Sequence, residues 1–209
     1  MNVAYVSALY NIYEKDIANT RLIADVQKLL AQPFELILFV DDFYFPIVSN
    51  FQGKGKHVNI IHKPTSDLHI YNMLMDNKDK LTLPTKRNPE KDTHSYMALM
   101  HQKVEFLLLA KELTDKEYIA WIDAGSSKML KDENSYIRLK NYHLINFENV
   151  LIPGCYLYPR SFQELCEMVY WNFLGTFYIV HRNYVQTFYE KSLQALSKFS
   201  EAGRITWEV

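Results

Sequence analysis

Glu117-Tyr-Ile-Ala-Trp-Ile-Asp123-Ala-Gly125-Ser126 is the stretch that decides the fold. Tyr118 to Ile122 is an unbroken apolar run of strand length, and such runs mark strands covered on both faces, as in the parallel sheets of α/β proteins. The run ends on one carboxylate, Asp123, followed at once by small residues. In open α/β sheets the ligand crevice lies beyond the carboxyl ends of the strands. Asp123 therefore reads as an acid presented to a ligand, with Ala124 and Gly125 leaving room for a bulky substrate. Asp-x-Gly is also ordinary turn chemistry, and the pattern alone leaves both roles open.

Working outward, Val3 to Leu9 reads as a first strand. Asn19 or Thr20 then starts a helix with the apolar face Leu22, Ile23, Val26, Leu29 and Leu30, and Pro33 marks its end. Phe34 to Val40 is a second buried strand that also closes on acids, Asp41 and Asp42. Strand, helix, strand is a right-handed crossover with a parallel sheet. Val58 to Ile61 is a short third strand, and Leu68, Tyr71, Leu74 and Met75 mark a short helix after it. Helical period returns from Ser95 to Leu113 through Met97, Met100, Val104, Leu107 and Leu108. Val150 to Leu157 and Phe173 to Val180 read as further strands, the latter with Gly175 where backbone closely approaches something. A last helix through Val185, Phe188, Leu196 and Phe199 is closed by Gly203. The expected architecture is a single α/β domain over residues 1–209, with a mostly parallel central sheet flanked by helices. Between Asp76 and Thr93 apolar content falls to Leu81 and Leu83, with Pro84 and Pro89, which predicts a long mobile loop over about 76–93.

A chain of 209 residues suits one domain with a real core. Its 23 Lys+Arg against 24 Asp+Glu give a net charge of −1, without the basic excess of a nucleic-acid binder. The opening Met-Asn-Val-Ala-Tyr-Val-Ser has no basic segment before an apolar core, and no run approaches membrane-spanning length. Cys155 and Cys166 are too few for a disulfide framework or a thiolate metal site. A soluble, cytoplasmic protein is the expectation. The 14% aromatic content suits a sugar-binding cleft, where flat sugar faces pack on rings, and equally suits a core.

No glycine-rich phosphate loop follows the first strand, no Gly-x-Ser-x-Gly elbow is present, and the seven His show no His-Glu-x-x-His spacing. What remains is Asp41, Asp42 and Asp123 at strand ends, with Lys103 and the late Glu208. Lys103 has Leu99, Phe106, Leu107 and Ala110 as its helical neighbours. Its ammonium either snorkels to the domain edge or is a cation held at the crevice for an anionic ligand. Hard carboxylate oxygens beside a diphosphate suit Mg²⁺ or Mn²⁺ bound by one or two carboxylates and the substrate's phosphates. That chemistry points to a nucleotide or nucleotide-sugar substrate. A nucleotidyltransferase shares these features, and Gly125 is also what a decayed nucleotide-sugar or glycan-binding module would show.

Five segments together resemble the HtrL/YibB-like glycosyltransferase family. They are Ala4-Tyr-Val-Ser-Ala-Leu-Tyr10, Ile37-Leu-Phe-Val-Asp-Asp42, Tyr96-Met-Ala-Leu-Met-His-Gln-Lys103, Tyr118-Ile-Ala-Trp-Ile-Asp-Ala-Gly125 and Thr206-Trp-Glu-Val209, in the family's order and across nearly the whole chain. The resemblance implies a GT-A-type, Rossmann-like sandwich that moves a sugar from a nucleotide-diphosphate donor, a UDP-sugar foremost, to a glycan or glycoprotein acceptor. Family members serve surface-glycan assembly in bacteria, and related enzymes occur in large DNA viruses. By the same resemblance Asp123 takes the first position of the Asp-x-Asp metal motif, as a catalytic residue and ligand of Mn²⁺ or Mg²⁺, with Gly125 replacing the second acid. Ser7, Leu9, Tyr10 and Asp41 fall at the nucleoside site, and Lys103, Ala124, Gly125 and Trp207 join the substrate-binding set. Glu208 matches the late acid that acts as general base on the acceptor hydroxyl. The family continues past Trp-Glu-Val, which implies a truncated domain.

Overall fold

Six strands form one sheet in the order β3-β2-β1-β4-β6-β5. They are β1 (Val3–Leu9), β2 (Glu35–Val40), β3 (Val58–His62), β4 (Tyr118–Ile122), β5 (Val150–Leu151) and β6 (Phe177–His181). The first four, the apolar runs of the sequence, pair in parallel, while β6 runs antiparallel to both β4 and β5. The helices are α1 (Thr20–Leu30), α2 (Phe45–Val48), α3 (His69–Met75), α4 (His94–Lys111), α5 (Glu133–Lys140), α6 (Phe162–Glu167) and α7 (Val185–Glu201). The computed structural model describes residues 2–13, 20–51, 57–126, 130, 133–140, 146–155, 160–170 and 172–207. The mixed α/β class with a mostly parallel sheet is as expected from the apolar runs.

Chain order matters for the site. From β1 the chain moves outward to β2 and β3, then returns to place β4 on the other side of β1. That reversal makes the β1/β4 boundary the topological switch point, where the loops leaving adjacent strands part and open a crevice.

Both faces of the sheet are covered. Val6, Ile37, Phe39, Ile119 and Trp121 pack on Phe106, Leu107 and Ala110 of α4. On the opposite face Val3, Tyr5, Leu36, Tyr118, Ala120 and Ile122 meet Leu29, Phe34 and Leu139. This alternation is the period of two that strand geometry imposes.

α4 also buries His101, Gln102, Lys103 and Glu105. Two of these serve α3, whose N-cap residue Leu68 offers no side-chain hydrogen bond. Glu105 Oε2 accepts from Ile70 N at 3.1 Å, and Gln102 Oε1 accepts from Tyr71 N at 3.0 Å, satisfying amides that a helix start leaves without intrahelical partners. α7 closes as read from Gly203, which has φ +65°. Gly203 N donates to Ser200 O and Arg204 N to Phe199 O, the paired bonds of a Schellman motif.

Several boundaries differ from the sequence reading. β6 starts at Phe177, because Phe173 to Thr176 form a bridge and turn in which Leu174 N donates to Pro153 O. β5 is confined to Val150–Leu151, and residues 156–159 of that expected strand lie outside the described residues. The stretch 76–93 is irregular, as composition implies, but it is bonded to its surroundings. Thr82 N donates to Gly203 O and Ile205 N to Thr82 O; Lys86 N donates to Glu167 O and Val169 N to Lys86 O. Asp92 is buried and accepts from Asn88 N at 2.9 Å. Backbone pairing and one buried carboxylate hold this segment where apolar side chains are few.

Candidate active site

Two periodicities converge on one point. In β4, Ile119 and Trp121 face α4, and the period of two carries Asp123 out on that side. In α4, Phe106, Leu107 and Ala110 lie on the sheet. Lys103, at i−3, i−4 and i−7 from them, shares their face one turn nearer the helix start. The start of α4 lies beyond the carboxyl ends of the strands, so Lys103 and Asp123 meet just past the sheet. Their separation is 3.1 Å from Nζ to Oδ1. Lys103 Nζ also donates to Gly175 O at 2.9 Å, and Trp121 Nε1 donates to the same Asp123 Oδ1 at 2.6 Å. The close approach read from Gly175 is this contact.

The geometry separates the roles left open by the sequence. Among the described residues the Asp123 carboxylate bonds no amide of the turn after β4; it is held by an ammonium and an indole, and the turn closes through Ser126 N donating to Asp123 backbone O. Lys103 does not snorkel, since its side chain is 2% exposed against 29% for Asp123.

Two cavities flank the pair. The larger, about 490 Å³, runs from the β1 end across to Asp123 and is walled by Leu9, Tyr10, Tyr96, Lys103, Ala124 and Gly125 among others. The smaller, about 250 Å³, lies on the other side and has Trp207, Phe173, Cys155 and Thr176 in its wall. Lys91, Tyr96, Met100, Lys103, Asp123 and Thr176 line both. Lys91 Nζ sits 4.3 Å from the Trp207 ring centroid and 4.7 Å from that of Tyr96. Trp207 Nε1 donates to Asp92 Oδ1 at 3.2 Å. The segment 76–93 thus forms a wall of the site. A separate apolar cavity between α4 and α7 has no Lys, Arg, Asp or Glu among the described residues of its wall.

The structure brings Leu9, Tyr10, Lys103, Asp123, Ala124, Gly125 and Trp207 to these walls. It does not bring Ser7 or Asp41 there. Ser7 shares the inward face of Tyr5 and Leu9, is fully buried, and its hydroxyl has no hydrogen-bond partner. Asp41 is 6% exposed, with Oδ2 accepting from Asn11 N at 2.6 Å and Oδ1 from Tyr44 N at 2.9 Å. Both oxygens are committed to backbone, so Asp41 shapes the loop after β1 and does not face the cavity. Asp42 is exposed and bonds His62 at 2.8 Å. Glu208 lies outside the described residues. Lys91, Tyr96 and Thr176 were not singled out by sequence reasoning for this site; Tyr96 alone carried a signal, within the segment that starts α4.

Burial sets the protonation of two neighbours. Tyr10 donates its hydroxyl to Lys63 O at 2.8 Å, and its pKa is pushed up by burial first and then by the Asp41 and Glu105 carboxylates. His101 is lowered to about 4 by burial, outweighing its bond to Thr206 O at 2.9 Å, with Lys103 lowering it further. At neutral pH a neutral His101 pins the segment carrying Trp207 to α4.

The described residues around Asp123 do not by themselves suit a divalent cation. Mg²⁺ and Mn²⁺ are bound by carboxylates and phosphates. Here Asp123 is the one carboxylate in the wall of either cavity among the described residues, and an ammonium lies 3.1 Å from its Oδ1. Gly125, two residues on, has no side chain to add a ligand. Among the described residues no group of three His, Cys, Asp or Glu side chains is placed to hold a metal.

No family model and no curated protein matches the sequence. Solved structures do resemble it. Mouse xyloside xylosyltransferase 1, apo form, is 9% identical at a TM-score of 0.49, covering 95% of this chain and 76% of that one. The apo-form glycosyltransferase GlyE of Streptococcus pneumoniae TIGR4 is 13% identical at 0.42, covering 95% and 39%. S. aureus TarS is 13% identical at 0.36, covering 87% and 47%. The chain spans less than half of the GlyE and TarS chains. At these scores the functional argument rests on the site's own geometry. No helix among the described residues is long and apolar enough to cross a membrane.

Proposed function

We propose that the chain is a GT-A-type glycosyltransferase that moves a sugar from a nucleotide-diphosphate donor, a UDP-sugar foremost, to a glycan or glycoprotein acceptor. The observation that carries this reading is the Lys103–Asp123 pair standing between two cavities at the topological switch point. A transferase needs that division: one compartment for the donor nucleotide, one for the acceptor, and charged groups where they meet. The larger cavity, reaching the β1 end, is the donor side. The smaller, with Trp207 and Phe173 offering ring faces, is the acceptor side.

In transfer, an acceptor oxygen bonds the anomeric carbon. The bond from that carbon to the diphosphate oxygen breaks, and the nucleoside diphosphate leaves with the electron pair. The acceptor proton passes to a base, the role that the family resemblance gives Glu208. Negative charge grows on the leaving diphosphate, and fixed cations beside it lower the barrier. In this reading Lys103 takes that role, and its contacts with Asp123 and the Gly175 carbonyl support it.

The test is a melting-temperature screen with UDP, GDP, CDP and dTDP, followed by donor hydrolysis with the matching nucleotide sugars. Ligand a hundredfold above its Kd stabilises by about 2.7 kcal/mol, so a nucleotide that fits gives a plain shift. No shift with any of the four ends the donor-site reading. Release of pyrophosphate in place of a nucleoside diphosphate identifies a nucleotidyltransferase.

A further inference from the structure

We propose that the acceptor sugar carries an apolar aglycone of about six to ten carbons, which lodges in the cavity between α4 and α7. The proposal rests on the transferase reading above and gives it an acceptor class.

The position of the cavity is the first argument. It is separate from the acceptor cavity, yet Met100, Phe173 and Gly175 line both. The ridge between the two is the turn from Phe173 to Thr176, fastened where Leu174 N donates to Pro153 O at 2.8 Å. The Gly175 carbonyl accepts from Lys103 Nζ beside Asp123, while Gly175 also borders the apolar cavity. Phe173, 54% exposed, stands at the junction. An acceptor sugar beside Asp123 therefore has the apolar cavity as its neighbour across this ridge, where a group attached to the sugar can enter.

The wall itself is the second. Ile152 and Phe188 belong to the core cluster on the sheet, and Ile70, Val104, Leu193 and Leu196 to the cluster between α3, α4 and α7. The cavity lies at the seam where those clusters stand apart. Protein interiors hold few voids larger than a water molecule, so a gap of about 250 Å³ between two apolar clusters favours an occupant. Polar groups of this wall are bonded to their own chain: His101 Nε2 to Thr206 O at 2.9 Å, and Ser192 Oγ, which donates to Phe188 O at 2.8 Å. His101 is uncharged at neutral pH. The wall's six aliphatic and aromatic side chains offer an occupant apolar contact, which is gained by removing its surface from water and needs no directional partner.

Size is the third. A cavity of about 150 Å³ lined by Leu, Ile and Phe takes benzene. One of about 250 Å³ has room for a hexyl or phenyl group and its linking oxygen.

The experiment compares methyl, hexyl and phenyl glycosides of glucose, galactose and N-acetylglucosamine. Each is titrated calorimetrically into the full chain and tried as acceptor with the nucleotide sugar that the hydrolysis screen identifies. For at least one of the sugars, the hexyl and phenyl glycosides are expected to bind at least about tenfold more tightly than the methyl glycoside. Transfer to them should show a correspondingly lower KM. S192F puts a larger side chain into the cavity wall and should erase the difference. Methyl-group resonances of Ile152 and Leu193 should shift with the hexyl and not with the methyl glycoside, a readout that holds even if S192F folds poorly. Equal binding of all three aglycones overturns the proposal. So does a preference for hexyl that folded S192F retains, or one that moves no resonance at Ile152 and Leu193. Donor hydrolysis by the same preparation keeps the transferase reading standing in each of those cases. Hexyl-dependent binding in a protein that turns over no donor overturns the transferase reading, and the cavity's acceptor role with it.

Discussion

Replacing Asp123 by Asn is expected to unfold the protein more readily than replacing its partner Lys103 by Met, and adding K103M to D123N should restore part of the loss. The reasoning starts from unequal burial: the Lys103 side chain is 2% exposed, that of Asp123 29%. In D123N the buried ammonium loses its carboxylate partner at 3.1 Å, and removing one partner of a buried ion pair costs about 3–5 kcal/mol. The amide oxygen still accepts one hydrogen bond, which favours the lower end, about 3 kcal/mol. In K103M the carboxylate keeps the Trp121 indole N–H at 2.6 Å and its exposed part is solvated. That loss is about one charge-assisted hydrogen bond, about 1–2 kcal/mol. The double variant carries neither charge and should lie close to K103M. Urea denaturation of the four proteins gives the comparison, and D123N should melt about 6–12 °C below wild type for a chain of this size. A double variant less stable than D123N, or D123N within about 0.5 kcal/mol of wild type, refutes the account of a buried ammonium held by Asp123. Turnover must be read beside stability, since this substitution disturbs both.

His101 makes stability pH-dependent. Its folded pKa of about 4 lies below the usual 6.5, so the unfolded chain binds the extra proton; its contribution is complete above pH 6.5 and is lost as pH falls towards 4. The full amount is about 3 kcal/mol, and H101Q should flatten the stability curve over that window. A wild-type curve with no acid-side slope between those values would contradict the burial of a neutral imidazole. D41A removes the carboxylate that accepts from the amides of Asn11 and Tyr44 and should destabilise by about 1–3 kcal/mol, with faster amide exchange at both; unchanged exchange there removes Asp41 from its positioning role. Amide exchange at Thr82, Lys86 and Asp92 should be slow in the ligand-free protein, because each donates a backbone hydrogen bond. Exchange there as fast as in an open chain would favour the mobile loop that composition predicts. G203A places a Cβ 3.3 Å from Lys80 O at φ +65° and should cost about 1 kcal/mol or more, read from its denaturation midpoint.

Local periodicity was enough for the sheet and its class. Unbroken apolar runs at Val3–Leu9, Glu35–Val40 and Tyr118–Ile122 became the central parallel strands, because a strand covered on both faces has no place for polar residues. Asp123 and Lys103 were each legible singly, one as an acid closing a strand and one as a cation among apolar helical neighbours. Their ion pair was not, since it depends on how α4 lies along the sheet, and helical and strand periods say nothing about the angle or offset at which elements pack. The same limit hid Asp41, whose strand-end position looks like that of Asp123 in sequence; only the fold turns its carboxylate onto the amides of Asn11 and Tyr44. Lys91 and Trp207 stand far apart in the chain, one in a stretch with few apolar residues and the other near its end. Their contact exists because Thr82 pairs with Gly203 and Ile205, and Asp92 accepts from Trp207. Backbone hydrogen bonds between distant segments leave no side-chain pattern behind, so the wall of the site that they build was decided by tertiary structure alone.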